Sequence, residues 1–554
     1  MNWDETYDIV VVGSGAAGFA AALTGQLQGL STCMIEKEPR IGGASALSGG
    51  GIWIPNNHYL QEAGVKDTYE NAKTYMDATI GDRVPEILKE TYLTRGPEML
   101  RFFHDHTKHM RFNYATNYPD YYAHLPGGKP TGRSIEPEII DLRLLKEWEG
   151  LILEPTLSTK GFTMTGQEFH KVNMIMRTMK GKATSLKLGT RMIKSKITGA
   201  RYASLGRALI ARMALSYKEA GGNFTVNAAF QDFIVENNRV IGVLVKSNGR
   251  NLTIKANRGV ILGTGGFSQD QEKRQQYLPH PTNKKWTSSP PGQTGDMIEP
   301  AKKLGAKFDL MGHVWGAPSV LDHQNKPFFL VADRAIPSMM IVDQNGKRYL
   351  NEAMPYHEFI DNMYRHHEQT GGKAIHSWMI VDQQTKNRYL LLGRFPRQDF
   401  PIEWYEHGIV KVGLTIEELA AQTNLPIENL QSTIERFNTF ATNGHDQDFG
   451  RGNNPYDWYY GDLKLKNPNL DKIENPPYYA FKVFPGDIGT KGGVVIDEYA
   501  RVLREDDSPI EGLYAAGNCS ASIMGETYPG PGATIGPGMT FGYIAAMHCK
   551  TQKK

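Results

Sequence analysis

The chain has 554 residues, 40% hydrophobic and 22% charged, with 62 Lys and Arg against 59 Asp and Glu. That length predicts more than one core, and a net charge of +3 gives no general attraction to nucleic acid, so none is expected as a partner. No apolar run is long enough to span a bilayer, and Cys33, Cys519 and Cys549 offer neither a disulfide framework nor a metal set.

In chain order, acidic residues precede the apolar run Ile9–Val12, so residues 1–20 read as a strand entering a glycine turn and not as a signal peptide. The expected compartment is the cytoplasm. Gly13, Gly15 and Gly18 then supply G-x-G-x-x-G. The first makes the tight turn, the second admits a pyrophosphate, and the third lets the next helix, Ala16 to about Gln28, pack on the strand. A second strand, "STCMIE", ends at Glu36, where a carboxylate can bind both ribose hydroxyls. The competing reading is a glycine-rich turn with a coincidental Glu. A further glycine loop at Gly42–Ser45 and Ser48–Gly51 suits a ligand longer than NAD, namely FAD.

From Phe169 to Lys218 there is no Asp or Glu but many Lys and Arg. The later part of this stretch, "SLGRALIARMALSYKEAGG", reads as a helix with Ser204 as cap. The earlier part, inside an insert at about 160–197, is methionine-rich, and Val172, Met176 and Met179 are expected on one helical face. A cationic, partly apolar segment can lie on an anionic lipid surface. A solvated loop or an oligomer contact is the alternative.

"GVILGTGGFS" at 259–268 and "GLYAAGNCSAS" at 512–522 are two more apolar strands ending in glycines. Returning strands so far apart mark a flavin fold interrupted by an insertion. The cofactor set read from these loops is Gly13, Gly15, Ala16, Ala17, Gly18, Glu36, Lys37, Gly43, Ala44, Ser45, Gly50, Gly51, Gly265, Gly517, Asn518 and Ile535. Between the strands, "LTIEELAAQTNLPIENLQSTIERFNTFA" holds two helical patterns, with Thr415 and Glu418 as a capping box. The expected fold is α/β: a Rossmann-like FAD-binding domain (1–314 and 490–554), interrupted by an α+β catalytic domain (315–489).

The chain ends in "GETYPGPGATIGPGMTFGYIAA", where Pro529 and Pro531 stiffen the backbone between Tyr528 and Gly532. A phenol and an unobstructed N–H held this way can stabilise charge on a carbonyl oxygen. Gly536-Pro537 is expected to start a helix, with Pro at its first position. A plain turn capping a terminal helix is the competing reading.

Together GSGAAG, GGASA, the GTGG strand and LYAAGN resemble the fumarate reductase/succinate dehydrogenase flavoprotein superfamily. "GGASALSGGG" lacks the histidine that links flavin in some members, which implies non-covalent FAD, and the dicarboxylate-binding arginine is missing. "YPGPGATIG", with "PDYY" (119–122), "GRSIEP" (132–137), "RYLNEAMPYHEF" (348–359) and "GDIGTKGG" (486–493), is similar to the 3-ketosteroid Δ1-dehydrogenase (3-oxosteroid 1-dehydrogenase) family over most of the chain. The resemblance implies a 3-ketosteroid substrate desaturated between carbons 1 and 2. Tyr528 and Gly532 would polarise the 3-keto group, Tyr356 assisted by Tyr121 would take the carbon 2 proton, and FAD would take the carbon 1 hydride. Tyr122 is the neighbour most easily confused with Tyr121, and His357 with Tyr356. Trp53, Trp315 and the aromatics of "PYYAFKVFPG" are candidate pocket walls or plain core. The electron acceptor is left unidentified, with quinone as the candidate class. The readings kept beside this one are a 3-ketosteroid Δ4(5α)-dehydrogenase, another flavin reductase of the superfamily, and a flavin-based redox sensor without turnover.

Overall fold

The computed structural model describes residues 2–154 and 162–552. Residues 160 and 161 of the basic insert therefore lie outside the described residues. The chain builds one eight-stranded sheet around the strand Glu5–Val12. That strand pairs in parallel with Thr32–Ile35 on one side and Arg250–Leu262 on the other. Asn223–Thr225 and Pro509–Ala515 extend the parallel set outward. Register places Val12, Ile35, Leu262 and Ala515 in one row. All four carboxyl ends therefore open on one crevice, where open α/β sheets bind ligands. The amino half of Arg250–Leu262 pairs antiparallel with Arg239–Ser247, which pairs with Ala228–Glu236.

Ile9, Val10 and Val11 are fully buried because helices cover both faces of a parallel sheet. Helix Ala16–Leu27 covers one face and is crossed closely by the carboxyl-terminal helix Ile535–Thr551. Small residues set that distance: a Cβ on Gly542 would land on the Ala17 carbonyl oxygen. The terminal helix starts at Ile535, so Pro537 is its third residue and not its first.

A four-stranded antiparallel sheet forms the other centre, ordered Met339–Val342, Ser377–Asp382, Tyr478–Val483, Val410–Gly413. Side chains alternate between its faces. Met339, Ile341, Met379, Val381 and Phe481 enter one apolar cluster. Met340, Val342, Trp378, Ile380 and Ala480 enter another, under helices Ile416–Thr423 and Ile427–Asn443. The Thr415 hydroxyl caps the first of these helices, but Glu418 turns to the Leu414 N–H, so the expected reciprocal box is only half made. Ser204 occupies the cap position of helix Leu205–Glu219 without a side-chain bond.

The basic segment folds as two helices, Gly166–Asn173 and Met179–Thr198. Val172 is 1% exposed and belongs to the first, whereas Met179 is 76% exposed and starts the second. The expected shared face is therefore wrong, because Thr178 caps a new helix between them. The exposed apolar row is instead Met179, Leu186, Ile193 and Ile197, at helical spacing. Among the described residues no helix is long and apolar enough to cross a membrane.

Candidate active site

The crevice begins at the first glycine turn. Gly13 has φ +101°, and a Cβ there would collide with the Gly263 carbonyl, so only glycine seats the turn against the neighbouring strand end. Glu36 lies just past its strand and accepts from Ser14 N–H (3.1 Å), Ser14 Oγ (2.6 Å) and Glu38 N–H (3.0 Å). Ser14 Oγ accepts in turn from Gly42 N–H at 3.0 Å, which ties the first and second glycine loops together. Ser45 Oγ accepts from Ala16 N–H at 3.1 Å. Lys37 is turned elsewhere: its ammonium bonds Thr294 (2.5 Å) and Asp296 (2.6 Å).

Whether a dinucleotide fits is decided by the open glycines. A Cβ on Gly15 would meet nothing nearer than Ser45 Oγ at 3.7 Å, and one on Gly43 nothing nearer than the Gly15 Cα at 4.0 Å. The two face each other across space that protein does not fill, beside the first-turn N–H groups of helix Ala16–Leu27, which have no intrahelical partner. These residues fit a pyrophosphate. Farther along, Gly517, Asn518, Ala533, Thr534 and Gly538 line a groove that Trp315 closes. Asn518 Oδ1 accepts from Trp315 Nε1 at 3.1 Å. Ile535 opens the helix next to this groove. Gly265 (φ +72°) packs on the Gln293 side chain, and Gly50 on the Leu205 backbone, so both serve close packing within the protein. Among the described residues no group of His, Cys, Asp or Glu could hold a metal.

The tyrosines meet behind two residues of the groove, Trp315 and Thr534, both of which touch Tyr528. Tyr121 hydroxyl donates to the Tyr356 hydroxyl at 2.9 Å, across 235 positions of sequence. The Tyr528 ring stands perpendicular to Tyr121 at 5.1 Å and lies 5.5 Å from the Tyr356 ring. Thr534 Oγ1 donates to the Tyr528 hydroxyl at 3.1 Å. The Tyr356 hydroxyl and the Gly532 N–H lie beside it and, after Thr534, work against the rise that burial imposes on its pKa. The Tyr528 phenol and the Gly532 N–H are therefore neighbours in the structure. Gly532 has φ +101°, and its missing Cβ leaves room for the Gly51 carbonyl, so Gly51 seats the donor turn.

All three phenols are nearly inaccessible. Burial pushes the pKa of Tyr121, Tyr356 and Tyr528 up from the ordinary phenol value. For Tyr356 the bond from Tyr121 works the other way, and the Arg334 guanidinium lies over its ring at 5.8 Å. Tyr121 leads further to Tyr118, whose hydroxyl accepts from Tyr460 at 3.2 Å.

The neighbours take other places. Tyr122 hydroxyl accepts the Tyr528 N–H (3.4 Å) and does not reach the Tyr121–Tyr356 pair. His357 is buried, and burial and then Lys491 push its pKa far down; its Nε2–H donates to the Glu526 carbonyl at 2.5 Å. Glu352 sits in an ion-pair network with Arg348 (2.7 Å) and Arg451 (3.0 Å). Trp53 is not a pocket wall: its Nε1 donates to Asp120 Oδ1 at 2.8 Å, and its ring supports the turn at Gly530. Tyr478, Tyr479 and Phe481 pack in the antiparallel-sheet clusters and not at the site. Sequence reasoning missed Arg334, Thr534, Lys491 and Tyr456, whose ring packs on Tyr121 at 4.6 Å. Only Lys491 left a signal, as the one charged side chain in the GTKGG stretch.

The FAD binding domain family matches residues 8–535. The chain is 46% identical to the 3-oxosteroid 1-dehydrogenase of Mycolicibacterium smegmatis, over 98% of this chain and 97% of that one. It is 44% identical to the 3-oxosteroid 1-dehydrogenase of Mycobacterium tuberculosis, over 99% of each. The crystal structure of 3-ketosteroid Δ1-dehydrogenase from Sterolibacterium denitrificans in complex with 1,4-androstadiene-3,17-dione superposes with a TM-score of 0.94, at 39% identity, covering 99% of this chain and 100% of that one. The chain belongs to the FAD binding domain family and, within it, to the group of the 3-oxosteroid 1-dehydrogenases.

Proposed function

We propose that this protein is an FAD-dependent enzyme that desaturates 3-ketosteroids between carbons 1 and 2, giving a 1,4-diene-3-one, and that Tyr121, Tyr356, Tyr528 and Gly532 carry the chemistry. The observation that carries this reading is the hydrogen bond between the buried Tyr121 and Tyr356 phenols, beside the buried Tyr528 phenol and the Gly532 N–H. The group's name supports the reaction, and the site supports the roles. Non-covalent FAD, when bound, supplies the acceptor for the hydride lost from carbon 1.

The protein's own part begins at the 3-keto oxygen. Tyr528 and Gly532 donate to it, which lets negative charge collect there and makes the carbon 2 proton acidic. Each such donor is worth ~3 kcal/mol in a dry site. Tyr356 takes that proton. A phenol can serve as base only when its ionised form is stabilised; the Tyr121 hydroxyl does this against the penalty of burial, with the Arg334 guanidinium over the ring. Pro529 and Pro531 hold the donors in place before substrate arrives. On this reading residues 315–489 are the steroid-binding unit inserted into a flavin unit of 1–314 and 490–554.

The insert helix supports a contact with anionic membrane. Met179, Leu186, Ile193 and Ile197 form its exposed apolar row, and Lys180, Lys182, Lys194 and Lys196 are exposed on the same helix. Such a helix lies in the interfacial plane. It would bring the enzyme to a substrate, and a quinone-class acceptor, that dissolve in lipid. The test of the activity is anaerobic titration with androst-4-ene-3,17-dione. Loss of flavin absorbance with formation of androsta-1,4-diene-3,17-dione is the expected result. A 4-ene product from a saturated 5α-steroid, with no reaction of the 4-ene, would assign the Δ4(5α) reaction instead.

A further inference from the structure

The turn that presents Tyr528 is held carbonyl by carbonyl. Pro529 O accepts from Tyr75 hydroxyl (2.6 Å) and Tyr121 N–H (2.9 Å). Gly530 O accepts from Ala533 N–H (3.0 Å), Pro531 O from Ser134 Oγ (2.6 Å) and Gly532 O from Gly536 N–H (2.9 Å). The three carbonyls before Tyr528 converge on one ammonium, with His357 Nε2–H a second donor to Glu526 O. Lys491 Nζ donates to Thr527 O (2.7 Å) and Glu526 O (2.8 Å) and lies 3.5 Å from Gly525 O.

Lys491 also touches both other sides of the site. Its ammonium lies 4.4 Å from the centre of the Trp315 ring, and Trp315 packs on Tyr528 at 4.7 Å. Nζ is 3.2 Å from Nε2 of His357, the residue after Tyr356. Lys491 is 1% exposed, and the carboxylates that face it, Asp361 and Glu526, are half exposed. Burying an ammonium on backbone carbonyls instead of on a buried carboxylate is expensive. Such an arrangement persists where it holds backbone that must not move.

We infer that Lys491 is a positioning residue for the 3-keto site: it fixes residues 525–527 so that the Tyr528 hydroxyl stays aimed beside the Gly532 N–H. The inference rests on the functional reading above. A Lys491→Met variant keeps the stem under Trp315 and removes the donors. FAD content and thermal midpoint report folding. Turnover and the binding of a 3-hydroxyestratriene, whose ring A phenolate imitates the enolate, report the site.

The expected result is a folded, FAD-loaded variant with kcat lowered ~10–100-fold and KM changed less than ~3-fold. Phenolic steroid should bind ~10-fold more weakly, while a dienone, which carries no such charge, loses little. Lys491→Arg, which keeps charge and donors, should recover most of the turnover. If Lys491→Met fails to load FAD, Lys491→Gln, which keeps one amide donor, is measured in the same way. Unchanged kcat and phenol binding in a folded variant would overturn the inference, as would an Arg variant as impaired as the Met variant. Inactivity of the unmodified enzyme on every 3-ketosteroid would instead overturn the functional reading.

Discussion

Replacing Tyr528 with Phe isolates one donor. The ring is held by Trp315 at 4.7 Å, Tyr121 at 5.1 Å and Tyr356 at 5.5 Å, and its backbone N–H is bonded to Tyr122, so the turn should survive the loss of the hydroxyl. The Thr534 hydroxyl loses an acceptor, but Thr534 is only half buried and can turn to water. The Tyr356 hydroxyl and the Gly532 N–H lose the same neighbour, so the thermal midpoint is measured alongside, and the rate loss of a fully folded variant belongs to the transition state. One lost donor to a developing oxyanion is worth ~3 kcal/mol. At 1.36 kcal/mol per tenfold that is ~100–200-fold in kcat. Stopped-flow flavin reduction at saturating steroid measures it directly, and Kd from the concentration dependence should change less than ~5-fold. A Tyr528→Phe enzyme that reduces its flavin within ~3-fold of the unaltered rate would refute the assignment of this phenol to the 3-keto oxygen.

Gly532→Ala should be worse than Tyr528→Phe, because φ is +101° and the new Cβ would meet the Gly51 carbonyl, displacing both donors; kcat and thermal midpoint should fall together. Glu352→Gln breaks a fully buried ion-pair network and should cost about 3–5 kcal/mol, read in urea or thermal unfolding. Burial raises the pKa of the Glu352 and Asp446 carboxyls, but Arg348 outweighs it and holds both below their ordinary values. Their contribution is therefore complete above pH 4.5 and is lost as pH falls through the depressed values, so acid should destabilise the unaltered protein more steeply than Glu352→Gln. Replacing Met179, Leu186, Ile193 and Ile197 with Ser should abolish flotation with anionic vesicles and leave turnover of dissolved steroid intact; undiminished flotation would remove the membrane contact from the account.

How far the sequence could be read depended on whether the deciding interactions were local. Gly13, Gly15 and Gly18 announced the crevice because a turn, a phosphate approach and a helix contact each demand glycine at a set spacing. Pro529, Pro531 and Gly532 announced a rigid donor turn for the same reason. The Tyr121–Tyr356 bond joins positions 235 apart, and only family resemblance pointed to it. Trp53 looked like a pocket wall because an indole carries no mark of which way it faces, and its partner Asp120 is 67 positions away. Val172 and Met179 obey helical spacing, yet the cap at Thr178 breaks the helix between them. Lys491 left only its lone charge in the GTKGG stretch as a sign, because its partners are backbone carbonyls, which no residue type betrays.

The central claim is that Tyr356 removes the carbon 2 proton while FAD accepts the carbon 1 hydride. Single-turnover flavin reduction with 1-deuterated and 2-deuterated androst-4-ene-3,17-dione, in the unaltered enzyme and in Tyr356→Phe, tests it most directly. The account predicts that Tyr356→Phe loses ~10²–10⁴ in rate and shows a larger isotope effect from carbon 2 than the unaltered enzyme. Flavin reduction at the unaltered rate in Tyr356→Phe, or a carbon 2 isotope effect that the substitution leaves untouched, would contradict it.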